Sequence, residues 1–336
     1  MLNKINQKNI LYSLIILFIL SLFLLILLEL GSRSYSFFVK KNKCANSLNI
    51  EKYESEFNEN LGYVPLPGKK IGCFREEYNI SESGFREYPN FDQNSSNILL
   101  IGDSFGFGDE VNDDETISHY LKKNHKIDTL NAAVYGYGLD QAFLRAKNLE
   151  KLHSYNEIYL IIAPGGYSRT NVVERNGISK PYFNISNGKL KLIKPKKKNF
   201  KYASRSRLVE KSLLFNFIAN KINLTNIIVK EKYNENDPVL IGCKITEYFN
   251  NYFFEKDINL KVIFYRDASE IFIKNSKNFK KTNKYLECLD KAKVKYIDTL
   301  GLLKNNIDKK LYVKNTYGHP TAYSNEKVAE LIFNEF

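Results

Sequence analysis

Residues 157 to 163 read EIYLIIA, apolar on both of the faces that alternate along a strand, so the strand they form has to be covered on two sides. Two shorter runs precede it, Asn97 to Ile101 and Thr129 to Val134, and each leads through a glycine-bearing turn toward a helical stretch. The first helix is expected from Asp113 and Asp114 to about Asn124, with Glu115 among the acids that cap its positive end, and the second from Gln141 to His153. Strands alternating with helices at this spacing specify a parallel sheet in a three-layer α/β/α domain. In such sheets function gathers at the carboxyl ends of the strands, and Ser104, Gly136 and Gly165 all lie just past such an end.

The rhythm loosens between about 172 and 240, which reads as an insertion holding a hairpin (PYFNISNGKLKLI), a basic cluster and an amphipathic helix from Leu208 to Ile222. It then returns with a helix near 244 to 255, strand Leu260 to Tyr265, helix 277 to 292, strand Val294 to Ile297 and a closing helix from Asn325 to Phe336. The α/β domain is expected to span 97 to 336.

Ahead of it stands a different kind of sequence. Ile10 to Leu28 is apolar except for Tyr12, Ser13 and Ser21, long enough to cross a hydrocarbon core of about 30 Å. A cleaved signal peptide would carry a shorter apolar stretch followed by small residues, whereas Glu29 to Arg33 follow here, so residues 1 to 43 read as an uncleaved anchor. Residues 44 to 96, punctuated by Gly62, Pro65, Pro67, Gly68, Gly72 and Gly84, read as an irregular lead-in with at most short strands. Arg33, Lys40, Lys41 and Lys43 outnumber Lys4 and Lys8 and by themselves would hold the large domain in the cytoplasm, but long domains translocate despite flanking charge.

The net charge of +13 suits an acidic glycan, anionic lipid heads or nucleic acid, yet a chain crowded with Lys, Asn and Ile reaches that charge without any ligand. KPKKKNFKYASRSR, residues 194 to 207, is either a solvated loop or a membrane or glycan contact. No nucleic-acid partner is expected. Cys44, Cys73, Cys243 and Cys288 lack any CxxC spacing, which argues against a zinc knuckle or a thioredoxin-like site; disulfides and buried thiols fit equally well.

The first apolar run ends in GDSFG, which matches the G-x-S-x-G elbow, a sharp strand-to-helix turn that exposes the serine oxygen above the sheet. The bland alternative is that Ser104 merely caps a helix in a tight turn. A nucleophilic serine needs a base, and His119, His125 and His153 sit in or at the end of helices, where surface or capping roles suit them. His319, in a Gly-His-Pro turn before the closing helix, is placed to reach back over the sheet edge. In NAAVYGYGLDQ, Gly136 either forms a plain left-handed turn or offers an N–H to a developing oxyanion. The same stretch half-mimics a dinucleotide fingerprint, but Gln141 stands where its third glycine belongs.

Through ILLIGDSFGFG, NAAVYGYGLDQ and YGHPTAYSNEKVAELI, in that order, the chain resembles the SGNH, or GDSL-like, hydrolase family. It looks most like the membrane-anchored bacterial members, whose lead-in carries motifs similar to LGYVPLPG and SGFRE. The resemblance covers about residues 60 to 165 and 295 to 336 and implies a flavodoxin-like sheet. It makes Ser104 the nucleophile and one oxyanion donor, Gly136 a second donor and His319 the general base, with no cofactor and no metal. An elbow on the first sheet strand favours this arrangement over that of ordinary α/β-hydrolases.

Two departures stand out. The family places an Asn side chain in the oxyanion hole, but IIAPGGYSRTN puts Gly165 or Tyr167 at that position, leaving Asn171 as the nearest substitute. The family also carries Asp two or three residues before the histidine, where this chain has Thr316 and Tyr317. A backbone carbonyl, Asp298 or Asp308 are the alternatives for orienting His319. The resulting expectation is an anchored, extracytoplasmic serine esterase or O-acyltransferase acting on acetyl or other acyl groups of envelope glycans. The alternative is a binding or scaffolding protein that kept the fold without turnover.

Overall fold

A computed structural model describes residues 2–38, 55–71, 76–92, 94, 96–175, 178–196, 212, 214, 215, 218, 232–313 and 318–336. The chain divides into two compact units, Met1–Ser47 with Lys201–Lys230, and Leu48–Phe200 with Glu231–Phe336.

In the first unit a helix runs over Leu2–Phe38. Its Asn9–Ser34 stretch, 26 residues long, contains an 18-residue window with a mean hydropathy of 3.1. At 1.5 Å per residue the whole stretch is about 39 Å, long and apolar enough to cross a membrane. Near its end Glu29 pairs with Arg33 one turn on and accepts hydrogen bonds from Ser212 Oγ (2.8 Å) and the Leu214 amide (3.0 Å). Leu214, Phe215 and Ile218 are helical; the rest of the helix expected over 208–222, and the basic cluster from 197 onward, lie outside the described residues.

The second unit is built on a five-stranded parallel sheet ordered Lys295–Asp298, Asn259–Phe264, Glu157–Ile162, Ile98–Gly102, Leu130–Asn131. Travel from Ile98–Gly102 outward to Leu130–Asn131, then back across to Glu157–Ile162, reverses direction. Right-handed connections therefore put helix Ile117–His125 on one face and helices Leu139–Leu149, Pro238–Phe254 and Lys277–Lys291 on the other. The closing helix Ala322–Glu335 packs beside Ile117–His125, completing three layers. The reversal lies between Ile98–Gly102 and Glu157–Ile162, and the crevice above their carboxyl ends is where such sheets bind ligands.

Several elements differ in extent from the expectation. The strand expected to reach Val134 stops at Asn131, although the Ala132 and Val134 amides still bond the Leu100 and Gly102 carbonyls, carrying the chain alongside the neighbouring strand. The helix expected from Asp113 begins at Ile117, capped by Thr116, whose oxygen accepts from the His119 amide. Asp113 and Asp114 belong instead to a 3-10 turn, Asp113–Glu115, because Arg86 holds the Asp113 carboxylate. The helix expected near 244 starts at Pro238, where Asp237 accepts from the Val239 and Leu240 amides and proline supplies a helical φ.

The hairpin in the insertion pairs Tyr182–Ser186 with Lys189–Ile193 across Asn187 and Gly188, both at positive φ as a two-residue turn of this kind requires. The lead-in is two hairpins, Ser55–Asn58 with Gly62–Pro65 and Gly68–Ile71 with Glu77–Ile80, and beyond the second the Arg86 amide bonds the Asn131 carbonyl. Cys243 and Cys288 form a disulfide that ties helix Pro238–Phe254 to helix Lys277–Lys291; Cys44 and Cys73 lie outside the described residues.

Candidate active site

Strand Ile98–Gly102 ends at Gly102, whose φ of +149° and contact with the Ile161 carbonyl oxygen leave no room for a Cβ. Asp103 follows, buried, and its Oδ1 accepts from the Phe105 amide at 3.0 Å, so Asp103 caps the one-turn helix Ser104–Phe107. That relieves Ser104 of the capping role. Its Oγ instead meets His319 Nε2 at 2.8 Å. His319 is steadied by its own carbonyl, which accepts from the Val313 amide, and by an edge-on contact with the Phe105 ring at 5.5 Å.

The partner of the imidazole comes from a place the sequence did not suggest. Gly108 ends the short helix in a left-handed conformation, turning the chain so that Asp109 and Glu110 fall back over it. Glu110 Oε2 lies 3.3 Å from His319 Nδ1 and accepts the His319 backbone N–H at 3.2 Å, while Asp109 Oδ2 lies 3.7 Å from Nε2. The Nδ1 contact is an ion-pair distance that falls short of hydrogen-bond alignment. Asp298 is committed to Arg266 and Asp308 to exposed Lys309, so neither orients His319; Thr316 and Tyr317 lie outside the described residues. The only sequence signal was GFGDE itself, a glycine stop followed by acids within reach of the elbow.

Burial pulls the His319 pKa down, but the charges of Asp109, Glu110 and Asp103 outweigh it and leave the imidazole above its ordinary 6.5. Asp103 itself is pushed up by burial, against the opposing charge of Arg169.

The register pairs Leu99 with Leu130 and Gly102 with Ile161, so Ser104, Gly136 and Gly165 come to one sheet edge. Gly136 sits at φ +74° with Tyr63 Oη and Arg175 Nη1 within 3 Å of where a Cβ would stand. Three successive carbonyls of this turn are each held by a side-chain donor: Tyr135 O by Tyr63 Oη (2.7 Å), Gly136 O by Arg175 Nη1 (2.8 Å) and Tyr137 O by Arg169 Nη1 (2.8 Å). The amides of Ser104 and Gly136 have no acceptor among the described residues. They remain available as donors.

A second clamp holds the acids. Buried Arg86 donates to Gly108 O (3.1 Å), Val111 O (2.9 Å) and Asp113 Oδ1 (2.7 Å), bracketing Asp109 and Glu110 on both sides. Tyr63 and Arg86 belong to LGYVPLPG and SGFRE, so each lead-in motif supports one half of the site.

Of the two positions open for the family asparagine, Tyr167 is buried in the core with its hydroxyl against Thr282, and Gly165 faces the Arg169 guanidinium. Asn171 is drawn off to the Asn236 carbonyl and does not replace that asparagine. The remaining histidines stay away from Ser104: His125 stacks on Phe333, His153 meets Phe85 and His119 meets Tyr120. Among the described residues no group of three or more His, Cys, Asp or Glu could hold a metal ion.

No protein-family model matches the chain, and no curated protein matches it. Among solved structures it is similar to a member of the lipolytic protein G-D-S-L family from Veillonella parvula, at 9% identity and a TM-score of 0.43 over 71% of this chain and 97% of that one. It is also similar to a psychrotrophic esterase from Pseudoalteromonas sp., at 10% identity and a TM-score of 0.42 over 71% of this chain and 96% of that one. A catalytic mutant of an acetylxylan esterase from Geobacillus stearothermophilus matches at 10% identity with a TM-score of 0.41, over 73% of this chain and 95% of that one.

Proposed function

We propose that the chain is a membrane-anchored serine esterase of the SGNH, or GDSL-like, type. One observation carries the reading: Ser104 Oγ and His319 Nε2, 215 positions apart in sequence, stand 2.8 Å from each other at the carboxyl edge of the sheet. That is the separation a general base needs to take a hydroxyl proton.

In the proposed reaction, Ser104 Oγ bonds to the ester carbonyl carbon while its proton passes to His319 Nε2. The carbonyl π pair moves onto oxygen, where the Ser104 and Gly136 amides are the expected donors. Glu110 beside Nδ1 favours the imidazolium so formed. The tetrahedral intermediate collapses, the C–O bond to the alcohol breaks, and His319 returns the proton to the leaving oxygen. Water, or a sugar hydroxyl in a transferase, then attacks the acyl-serine by the same sequence in reverse.

The proposed substrates are acyl groups, acetyl above all, on cell-envelope glycans; a +13 chain suits acidic glycans. The Cys243–Cys288 disulfide supports an oxidising compartment, hence a domain outside the cytoplasm on a single-pass anchor made by the Asn9–Ser34 stretch. Alkaline phosphatase fused after Phe336 is expected to be active, since that enzyme folds only where disulfides form. Activity from a fused cytoplasmic reporter instead would reverse the orientation.

A fluorophosphonate probe tests the chemistry. The full chain in detergent is expected to label at Ser104, and Ser104→Ala is expected to lose the label with its melting temperature kept. Absence of labelling and of p-nitrophenyl acetate hydrolysis in the wild type would leave a fold that binds without turnover.

A further inference from the structure

Arg169 follows the helical turn Pro164–Ser168, at the end of the strand beside Ser104. Only one arm of its guanidinium is engaged: Nη1 donates to Tyr137 O at 2.8 Å and lies 3.4 Å from Asp103 Oδ2. Nε and Nη2 have no acceptor among the described residues. The group lies directly over the bare Cα of Gly165, where a Cβ would stand 2.9 Å from Cζ and closer still to Nη2. Any side chain at 165 would push the guanidinium away. Its backbone is held too, because the Arg169 carbonyl accepts from Lys180 Nζ, which is itself ion-paired with Asp140 in the interior.

The arginine side chain is 20% exposed, and its charge is opposed by Asp103 at 3.4 Å. Among the described residues Asp103 is its one close carboxylate, facing Nη1 through Oδ2 while Oδ1 accepts the Phe105 amide, so Nε and Nη2 stay uncommitted. A mostly desolvated cation with unspent donors, next to a nucleophile, is a site for negative charge that appears only during reaction.

We propose that Arg169 is a catalytic residue, donating from Nη2 to the oxygen that becomes negative when Ser104 attacks the ester, in the place where the family uses an asparagine side chain. The proposal rests on the serine-esterase reading. As Oγ bonds to the carbonyl carbon and its proton moves to His319, the released electron pair settles on an oxygen held by two amides and one guanidinium arm. Glycine at 165 is then a requirement of the mechanism, because the arm occupies the space of its missing side chain. The ligand is a transient oxyanion, not a fixed acid group of the substrate.

The experiment is a kcat and KM comparison on p-nitrophenyl acetate, neutral, and on a p-nitrophenyl ester bearing a carboxylate in its acyl chain. Arg169→Ala is expected to lose about 10²- to 10³-fold in kcat on both esters, with KM little changed. Arg169→Lys is expected to recover part of the loss, and guanidinium ion added to Arg169→Ala to restore part of it. Gly165→Ala, which keeps the arginine and displaces it, is expected to lose kcat in the same way. A rise in KM confined to the carboxylate-bearing ester would overturn the proposal in favour of an acidic-substrate pocket. Unchanged kinetics in a labelled, active Arg169→Ala protein would overturn it in favour of a structural role. A wild type that neither labels at Ser104 nor turns over either ester would instead remove the esterase reading, and this proposal with it.

Discussion

His319→Ala is expected to lower kcat on p-nitrophenyl acetate by about a millionfold while leaving the melting temperature within a few degrees. The size of the effect follows from geometry. Oγ has one base within hydrogen-bond distance, and without it the hydroxyl must lose its proton to water. The ring is not a keystone of the core, since it packs on Phe105 near the surface and its main chain bonds Val313 regardless of side chain. Labelling of Ser104 by a fluorophosphonate should slow in step. A variant that keeps wild-type turnover would show that the 2.8 Å contact has no part in catalysis, and the proposed mechanism would go with it.

Glu110→Gln is expected to cost on the order of 10³- to 10⁴-fold in kcat, the scale seen when a triad carboxylate loses its charge. It should also move the pH profile. His319 works as a base only when neutral, and Asp109, Glu110 and Asp103 hold its pKa above 6.5. Activity of the wild type should therefore fall as the pH drops through a value above 6.5, and kcat/KM should plateau only on the alkaline side. Removing the Glu110 charge takes away one of the influences that raise the pKa, so the acid limb should shift to lower pH even as the plateau falls. A purely structural role would lower the plateau and leave the limb in place. Glu110→Asp, one methylene shorter, is expected to keep the limb and lose part of the rate. An unmoved limb with an unchanged plateau would show that the imidazole is oriented without Glu110.

The sheet was legible because two of its inner strands, Ile98–Gly102 and Glu157–Ile162, are short runs apolar on both faces, the pattern of a parallel sheet covered on two sides. Ser104 and His319 were legible for a different reason: each sits in a glycine-marked turn next to a periodic element, so chain direction alone carries both to one edge. Glu110 was not, because its approach to His319 depends on the chain reversing at Gly108, and nothing local distinguishes GFGDE from an acidic loop. Arg169 was hidden for a related reason. Long charged side chains reach several ångströms, and which carbonyl or carboxylate they find is decided by tertiary packing, as with Arg86 choosing Asp113 and so delaying the start of a helix. The lead-in read as irregular because its four-residue strands bury too little to leave a period of their own.

Tyr63 and Arg86 reach the α/β body from a segment that contributes no strand to its five-stranded parallel core. On the proposed mechanism the rate of turnover depends on residues up to some forty positions upstream of Ser104, in sequence that carries no reacting group. Loss of either clamp would surface as slow catalysis by a well-folded protein, which the elbow and the histidine by themselves would not reveal.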